Sequence, residues 1–411
     1  MVVGGGFAGL KICHSLARQP VRVTLIDKRN FNLFQPLLYQ VASGLVSEAD
    51  IASPLRQMVG DAPNIQILLG EVVDIDPEAR QVVFNGQHYG YDQLILATGS
   101  GSTYFGREEW RALAPPMKIL EHADEIRRRL LMALEEAEQT TDLKQRSFLQ
   151  TVVVVGAGPA GCELAGSLIE LMHRAVQRNF KQLRQSDCRV VLVDLVERVL
   201  PTMAAPLSAA AAAYLEGAGV ELQLGHKVES IAPGRVCLLG AAGGQQLEAA
   251  TICWTAGVRA SRLGGLLSER TGCAVDRGGR LVVNPDFSIP HFPEIRAVGD
   301  LCSYSHTSDA ASLPGMAGPA VQAGGWVARD IMAGLTGQTM APFRWQDLGT
   351  MAVIGPWYAV ADLRGTYLTG LAGWVVWPLG EFVVKRGAEA PQRALQALHA
   401  LTQRHTAEWA L

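Results

Sequence analysis

Apolar runs alternate with glycine-rich and polar stretches along the chain, a pattern typical of α/β proteins. The first run, Met1-Val2-Val3, leads into Gly4-Gly5-Gly6-Phe7-Ala8-Gly9 and predicts a strand, a turn and a helix from about Phe7 to Arg18. The next run, Val21 to Ile26, predicts a second strand that ends at Asp27. This order predicts a β-α-β unit that binds a dinucleotide.

Each part of this first turn has a physical role in holding a pyrophosphate. Gly4 allows the tight turn, Gly6 lets the backbone approach the phosphates, and Gly9 lets the helix pack closely on the strand. The first amides of the helix face the anion. Asp27 follows Gly9 by 18 residues, where an acid is expected to accept the ribose hydroxyls. We prefer this interpretation to a purely structural glycine turn because the strand and the acid accompany the turn.

The same pattern occurs a second time. Thr151 to Val155 leads into Gly156-Ala157-Gly158-Pro159-Ala160-Gly161, a second fingerprint. A buried strand followed by a small-residue turn closes each copy, at Ala97-Thr98-Gly99 and at Thr255-Ala256-Gly257. From Gly4 to Gly99 is 95 residues, and from Gly156 to Gly257 is 101. Two such units predict two nucleotides that face each other, and hydride exchange is the simplest purpose.

The second unit has its own acid, Asp194, at the end of an apolar run. Asp194 lies 33 residues after Gly161, and we expect the helix to be extended by Leu171 to Ser186. An acid at this position accepts a ribose diol and repels a 2′-phosphate, so NADH is favoured over NADPH. Arg198 acts against that preference.

Three further features lie outside the glycine turns. A charged amphipathic helix, roughly Leu120 to Glu138, is predicted to bury Ala123, Ile126, Leu130 and Leu134. Asp300 follows a strand and a glycine, where it either caps a ligand hydroxyl or caps a helix. A helix with Pro319 in its first turn is predicted to run to Ala333 and to turn its free amides towards an anion.

Composition narrows the chemistry. At 411 residues, with 48% hydrophobic and 18% charged residues, the chain is long enough for two or three domains. A formal charge of −3 gives no reason to expect a nucleic-acid partner. Because a strand begins at once, we expect no signal peptide. The seven cysteines show no C-x-x-C spacing, so we expect neither a metal site nor disulfides. Since no cysteine lies between Cys13 and Cys162, electrons from a flavin would leave without a dithiol relay.

The C-terminal part of the sequence favours contact with a membrane surface. Five of the eight tryptophans follow residue 340, and Gly365 to Gly380 is uncharged but shorter than the ~20 residues of a spanning helix. From Lys385 to His405, four basic residues accompany one acidic residue and a leucine stripe. We expect a monotopic anchor, with a dimer interface or a core helix as the alternative. Without spanning helices the reaction would not be electrogenic.

These motifs resemble the type II NADH:quinone oxidoreductases, which are single-subunit, non-proton-pumping membrane flavoproteins. The resemblance covers about residues 1 to 380 and is carried by the following segments: Gly4 to Gly9, Leu33 to Ala42 (LFQPLLYQVA), Asp50 to Arg56, Gly158 to Gly166, Trp254 to Val258, Val298 to Leu301, Pro314-Gly315, and Ala320-Val321-Gln322. The family has a second glutamine after Gln322, where this chain has Ala323.

The resemblance implies two Rossmann-like dinucleotide-binding domains, with the NADH domain (116–265) inserted in a discontinuous FAD domain (1–115 and 266–338). Residues 339–411 would form a C-terminal membrane-anchor or dimerisation region. FAD would be held by the first glycine turn (Gly4, Gly5, Gly6, Phe7, Ala8, Gly9) and by Asp27, Lys28, Val72, Ala97, Thr98, Gly99, Asp300, Val321 and Gln322. NADH would be held by Gly156, Gly158, Gly161, Glu163, Asp194, Ala256 and Gly257.

The resemblance also implies catalytic roles and partners. Glu163 would be a proton relay or a nicotinamide-side contact, although a first-turn acid can simply satisfy free helix amides. Quinone would bind near Gln322. The protein would be a homodimer, peripheral on the cytoplasmic face of a membrane.

Two other classes share the two-nucleotide pattern. One is a soluble NAD(P)H-dependent flavoprotein reductase of a ferredoxin-like or rubredoxin-like protein, and the other is a non-catalytic redox sensor that binds FAD and NADH. A sulfide:quinone reductase is disfavoured because it needs reactive cysteines near its C-terminus and none follows Cys302.

Overall fold

The computed structural model describes residues 1–306 and 311–377. The predicted basic stretch from Lys385 to His405 and the end of the uncharged run at Gly380 lie outside these residues. Within the described chain, helices and strands follow the order expected for a duplicated α/β protein.

The first unit contains four helices and ten strands. Its helices are α1 (Phe7–Leu16), α2 (Leu38–Ala42), α3 (Glu48–Ile51) and α4 (Leu55–Val59). Its strands are β1 (Val2–Val3), β2 (Val23–Asp27), β3 (Phe31–Leu33), β4 (Ala52–Pro54), β5 (Ile65–Leu69), β6 (Val72–Asp76), β7 (Gln81–Phe84), β8 (Gln87–Gly90), β9 (Leu94–Leu96) and β10 (Ser100–Ser102).

The second unit begins with a pair of helices that joins it to the first. Its helices are α5 (Leu120–Gln139), α6 (Leu143–Leu149), α7 (Pro159–Asn179) and α8 (Ala205–Gly217). Its strands are β11 (Thr151–Val155), β12 (Arg189–Asp194), β13 (Val220–Leu224), β14 (Lys227–Ala232), β15 (Arg235–Gly240), β16 (Gly243–Glu248), β17 (Thr251–Trp254) and β18 (Val258–Ala260).

The remaining described elements complete the first unit and add a small sheet. They are α9 (Arg262–Thr271), β19 (Leu281–Val282), β20 (Ser288–Ile289), β21 (Phe292–Ala297), β22 (Cys302–Ser303), α10 (Ala317–Leu335), β23 (Thr350–Gly355), β24 (Tyr358–Leu363) and β25 (Thr366–Gly370). Residues 371–377 are helical. No helix within the described ranges is both long and apolar enough to cross a membrane.

Sheet topology shows the duplication directly. The first sheet has the order β20-β21-β9-β1-β2-β5 and the second has the order β13-β12-β11-β17, with all pairs parallel except β20 with β21. Each unit also contains an antiparallel three-stranded meander. Along the chain, β6-β7-β8 comes between β5 and β9 in the first unit, and β14-β15-β16 comes between β13 and β17 in the second. Strand β21 comes from beyond the second unit, so the second unit is inserted in the first.

The structure corrects the ends of two predicted helices. Helix α1 ends at Leu16 rather than Arg18, because the side chain of Asn64 donates to Leu16 O at 2.9 Å and accepts from Arg18 N at 2.7 Å. Helix α7 ends at Asn179 rather than Ser186. The chain leaves α7 at Phe180, after which the Glu138 carboxylate accepts the next two backbone amides.

The amphipathic helix is confirmed. Helix α5 ends within one residue of its predicted end, and Ala123, Ile126, Leu130 and Leu134 have no exposed surface. They pack with α7 and with part of the C-terminal sheet in one apolar cluster. The helix predicted to run to Ala333 is α10, which continues to Leu335.

Candidate dinucleotide sites

The first glycine turn is closed on its protein side and open on the other. Gly4 has a φ of 103°, and a Cβ there would lie 2.4 Å from Ala97 O. A Cβ on Gly9 would lie 1.9 Å from Gly4 O, so helix and strand approach too closely for any side chain. At Gly6 the nearest atom to a Cβ would be Ala97 O at 4.0 Å. The turn therefore fits a group that approaches its backbone at Gly6, as a pyrophosphate does.

Asp27 and Asn32 hold this turn in place. The two carboxylate oxygens of Asp27 accept from Gly5 N at 2.6 Å and from Arg29 N at 2.7 Å. Buried Asn32 donates from Nδ2 to Gly5 O at 2.8 Å. Sequence analysis did not identify Asn32, because a single asparagine in an aromatic stretch gives no local signal. Lys28 forms an exposed ion pair with Glu71 at 3.7 Å.

The second turn repeats this geometry. Gly156 N donates to Val193 O at 2.7 Å, as Gly4 N does to Ile26 O at 2.8 Å. One Asp194 oxygen accepts from Ala157 N at 2.5 Å, which matches the contact between Asp27 and Gly5 N.

The open and closed sides of the second turn also match those of the first. A Cβ on Gly161 would lie 1.7 Å from Gly156 O, whereas a Cβ on Gly158 would meet nothing within 4 Å. The duplication predicted from sequence thus extends to individual hydrogen bonds.

The two closing turns are joined to each other. Strands β10 and β18, which follow them, pair antiparallel with Ser100 opposite Ala260 and Ser102 opposite Val258. In addition, Thr98 Oγ1 lies 2.5 Å from Ser261 Oγ, and Ser261 N donates to Gly99 O at 3.0 Å. Because each closing turn adjoins its own glycine turn, this link brings the two nucleotide sites side by side. No periodicity in the sequence indicates the link, since its partners lie about 160 residues apart.

Asp300 lies in a hydrogen-bonded cluster rather than at a helix cap. It belongs to the short 3₁₀ turn Gly299–Leu301, and its Oδ2 accepts from Ser100 Oγ at 2.8 Å. Lys118 Nζ donates to the same hydroxyl at 3.4 Å. Burial lowers the pKa of Lys118, and the Asp300 carboxylate opposes that shift. Ser100 and Lys118 were not identified from sequence, because they meet Asp300 only in the folded chain.

Helix α10 reaches the first site by packing on α1. A Cβ on Gly324 would lie 2.5 Å from Ala8 O, so the two helices touch through their backbones. Gly299 lies between Ala8 and Ala320, and a Cβ there would be 3.6 Å from each of their Cβ atoms. The start of α10 therefore adjoins the 3₁₀ turn that carries Asp300. That its free amides face an anion stays a prediction. Val72 and Val321, two further predicted FAD contacts, are buried.

Gln322 and Glu163 both bind the segment that follows α10. Gln322 Nε2 donates to Gln346 O, and its Oε1 accepts from Gln346 N, each at 2.9 Å. Glu163 is the fifth residue of α7, beyond its first turn, so it is not the first-turn acid of the alternative interpretation. It accepts from Val353 N in β23 at 3.2 Å. The two side chains predicted to be catalytic thus connect the nucleotide units to the C-terminal part of the protein. Their catalytic roles stay predictions.

The cysteines are free thiols, and all seven lie among the described residues. Burial raises the pKa of four of them to about 12: Cys13, Cys162, Cys253 and Cys302. Cys162 lies in the first turn of α7, and its thiol donates to Ala157 O at 3.3 Å. Such thiols are poor nucleophiles. That electrons leave a flavin without a thiol relay stays a prediction.

Two glycine turns with matched acids and joined closing turns define an oxidoreductase that binds two dinucleotides. Residues 1–324 match the family described as pyridine nucleotide-disulphide oxidoreductase. The chain is 40% identical over 385 residues to the type II NADH:quinone oxidoreductase Ndh of Mycobacterium tuberculosis, which covers 92% of this chain and 82% of that protein. It is 29% identical over 376 residues to the type II NADH:quinone oxidoreductase of Staphylococcus haemolyticus, with 90% of each chain covered.

A solved structure shares the fold. The structure of NDH2 from Plasmodium falciparum in complex with NADH superposes with a TM-score of 0.88 at 17% identity, covering 98% of this chain and 97% of that one. The chain belongs to the type II NADH:quinone oxidoreductase family. The predicted fold class, with an NADH domain inserted in a discontinuous FAD domain, is confirmed. The domain boundaries stay predictions.

Proposed function

We propose that this chain is an FAD-dependent NADH:quinone oxidoreductase that passes two electrons from NADH to a membrane quinone without pumping protons. The joined closing turns carry this conclusion, because they bring the two glycine turns, each suited to a dinucleotide, next to each other. FAD, when bound, supplies a two-electron acceptor that exchanges hydride with a nicotinamide. Family membership favours this function over a ferredoxin-type reductase and over a non-catalytic sensor.

The first site is suited to a cofactor that stays bound. Its turn is held by Asp27 and Asn32, and Ser100 links its closing turn to Asp300. Asp27 keeps further lone pairs for ribose hydroxyls after accepting two backbone amides. The buried ammonium of Lys118 supplies positive charge beside Asp300.

The second site is suited to NADH. Asp194 occupies the position that accepts a ribose diol, and a negative charge there opposes a 2′-phosphate. The Arg198 guanidinium donates to Pro201 O at 2.5 Å, so its head group is engaged by the backbone. These two contacts support a preference for NADH over NADPH.

The quinone step needs two protons, and we propose Glu163 and Gln322 as the groups that serve it. Glu163 is ionisable, belongs to α7 of the NADH unit and contacts β23. Gln322 uses one N–H and one lone pair on Gln346, which leaves its second N–H and its second lone pair for a quinone oxygen or a water.

We further propose that the protein lies on the cytoplasmic face of a membrane. The rings of Trp357 and Trp374 pack at a tilt with centroids 4.3 Å apart, and the centroid of Trp377 lies 6.4 Å from that of Trp374. In the same helical stretch Leu371 and Val375 are more than half exposed. Tryptophans beside exposed aliphatic side chains are typical of the headgroup region. A homodimer stays a prediction from family membership.

The test is NADH oxidation by the purified holoprotein with a short-chain quinone. We expect NADH to bleach the flavin absorbance and quinone to restore it. Glu163→Gln keeps an acceptor for Val353 N but removes the ionisable group, so reoxidation of the flavin by quinone should slow by a larger factor than its reduction by NADH. Rates of NADH oxidation that do not depend on quinone would refute the assignment of quinone as the electron acceptor. A protein that stays in the supernatant with liposomes would refute membrane binding.

A further inference from the structure

Phe105 combines strong exposure with an unusual backbone. Its side chain is 71% exposed and its φ is 53°, in the left-handed region that bulky residues rarely adopt. Isolated exposed apolar side chains are ordinary on protein surfaces. A left-handed backbone at a bulky residue is uncommon, and such a conformation persists only where the surrounding structure imposes it.

The residues on either side of Phe105 are fixed. Tyr104 is fully buried, stacks on Trp254 with centroids 5.0 Å apart, and donates its hydroxyl proton to Ala114 O at 2.6 Å. Thr103 O accepts from Trp254 Nε1 at 3.0 Å, and Thr103 Oγ1 accepts from Phe105 N at 3.1 Å. The loop therefore holds the Phe105 ring in a set direction.

That direction places the ring over the closing turn of the NADH unit. A Cβ on Gly257 would lie 2.6 Å from Phe105 Cζ and 2.9 Å from the Thr103 methyl carbon. In the first unit the equivalent residue is Gly99, where a Cβ would meet nothing within 4 Å. The duplicated turns thus differ in one respect, which is that an aromatic ring covers the second.

The covered turn belongs to the nucleotide site. A Cβ on Gly156 would lie 2.6 Å from Ala256 N, so the closing turn touches the phosphate turn of the same unit. A rigid aromatic ring that is exposed at this point offers apolar area to a ligand with little entropy to lose on binding.

We propose that Phe105, contributed by the connection between the two units, is an NADH-contacting residue that forms an aromatic wall at the Gly257 turn. The proposal deepens the proposed function and rests on it for the identity of the donor. It predicts that the ring contributes to binding of the dinucleotide and leaves the later steps unchanged.

The test is titration of the oxidised holoprotein with NAD⁺ by calorimetry, alongside steady-state kinetics with NADH. Phe105→Ala should raise the Kd for NAD⁺ and the KM for NADH about tenfold, the size expected for one good aromatic contact, with kcat within about twofold. Phe105→Gly, which suits the left-handed backbone, should lose as much affinity as Phe105→Ala. Phe105→Tyr should retain it.

Met132→Ala is the matched control, since Met132 is 51% exposed on α5 and lies away from both turns in sequence. It should leave the Kd unchanged. An unchanged Kd in both Phe105→Ala and Phe105→Gly would overturn the proposal, and so would tighter binding, which would make the ring a barrier. Failure of NADH to bleach the unsubstituted holoprotein would instead refute the proposed function, and the NAD⁺ titration would still decide the role of Phe105.

Discussion

The backbone contact between α1 and α10 makes Gly324 a sensitive position. A Cβ there would lie 2.5 Å from Ala8 O, and real Cβ contacts below 3.0 Å essentially do not occur. Gly324→Ala therefore forces the helices apart by at least about 0.5 Å. Gly324 is buried in the middle of α10, so neither helix can relieve the contact by moving a flexible side chain.

Two opposing terms set the size of the effect. Alanine is favoured over glycine in a helix by about 1 kcal/mol, whereas overpacking a close contact costs about 1–3 kcal/mol. Gly334 provides a control in the same helix, because it is exposed and a Cβ there would meet nothing within 4 Å. Gly334→Ala should therefore gain the higher helix propensity of alanine without creating a steric contact. We expect Gly324→Ala to be about 1–3 kcal/mol less stable than Gly334→Ala.

The assay is denaturant unfolding of the flavin-saturated protein, followed by the fluorescence of released flavin. Since Gly299, between Ala8 and Ala320, lies beside the Asp300 cluster, displacement of α10 should also release flavin at a lower denaturant concentration. If Gly324→Ala were as stable as Gly334→Ala, the conclusion that α1 and α10 are in backbone contact at Gly324 would be refuted.

Three further predictions follow from the site. Asp27→Asn should weaken flavin retention and leave the KM for NADH unchanged, whereas Asp194→Asn should raise that KM and leave flavin content unchanged. Flavin absorbance measures the first property and initial rates the second. Equal effects of both variants would contradict two separate sites. A maleimide at pH 7 should label Cys237, the only cysteine of the seven that is not buried, before the other six. Peptide mass spectrometry would show the order of labelling, and early labelling of Cys162 would contradict its burial. Burial, with a contribution from Arg111, lowers the pKa of His122 to about 4 from an ordinary 6.5. As the pH falls, the unfolded chain therefore binds the proton first, and the free energy of unfolding decreases between pH 6.5 and 4. His122→Asn should flatten that part of the stability profile measured by denaturant unfolding.

The parts of the site that sequence could predict are those set by chain neighbours. A glycine turn, the helix after it and the acid at the end of the next strand form one β-α-β unit, so their order fixes their contacts. Asp27 and Asp194 occupy equivalent places for this reason, and each accepts an amide of its own turn.

The rest depends on partners that are distant in sequence. Asn32 meets Gly5, and Lys118 meets Ser100 and Asp300, only after the sheets form. The end of α7 depends in the same way on Glu138, which lies on another helix. Helical periodicity predicts which face of a helix is buried, as it did for α5, but it does not identify a carboxylate elsewhere that accepts the amides beyond the last turn.

The two copies of the nucleotide unit differ most in what covers their first helix. Helix α1 packs on α10 at Gly324, while α7 packs on β23 at Gly166, where a Cβ would lie 1.9 Å from Ile354 O. Glu163 occupies the place in α7 that Lys11 has in α1, two residues after the last glycine of the turn. In α7 that residue binds the covering strand through Val353 N. The C-terminal sheet therefore contacts the first helix of the NADH unit directly, at Glu163 and Gly166, whereas the first helix of the FAD unit is covered by α10.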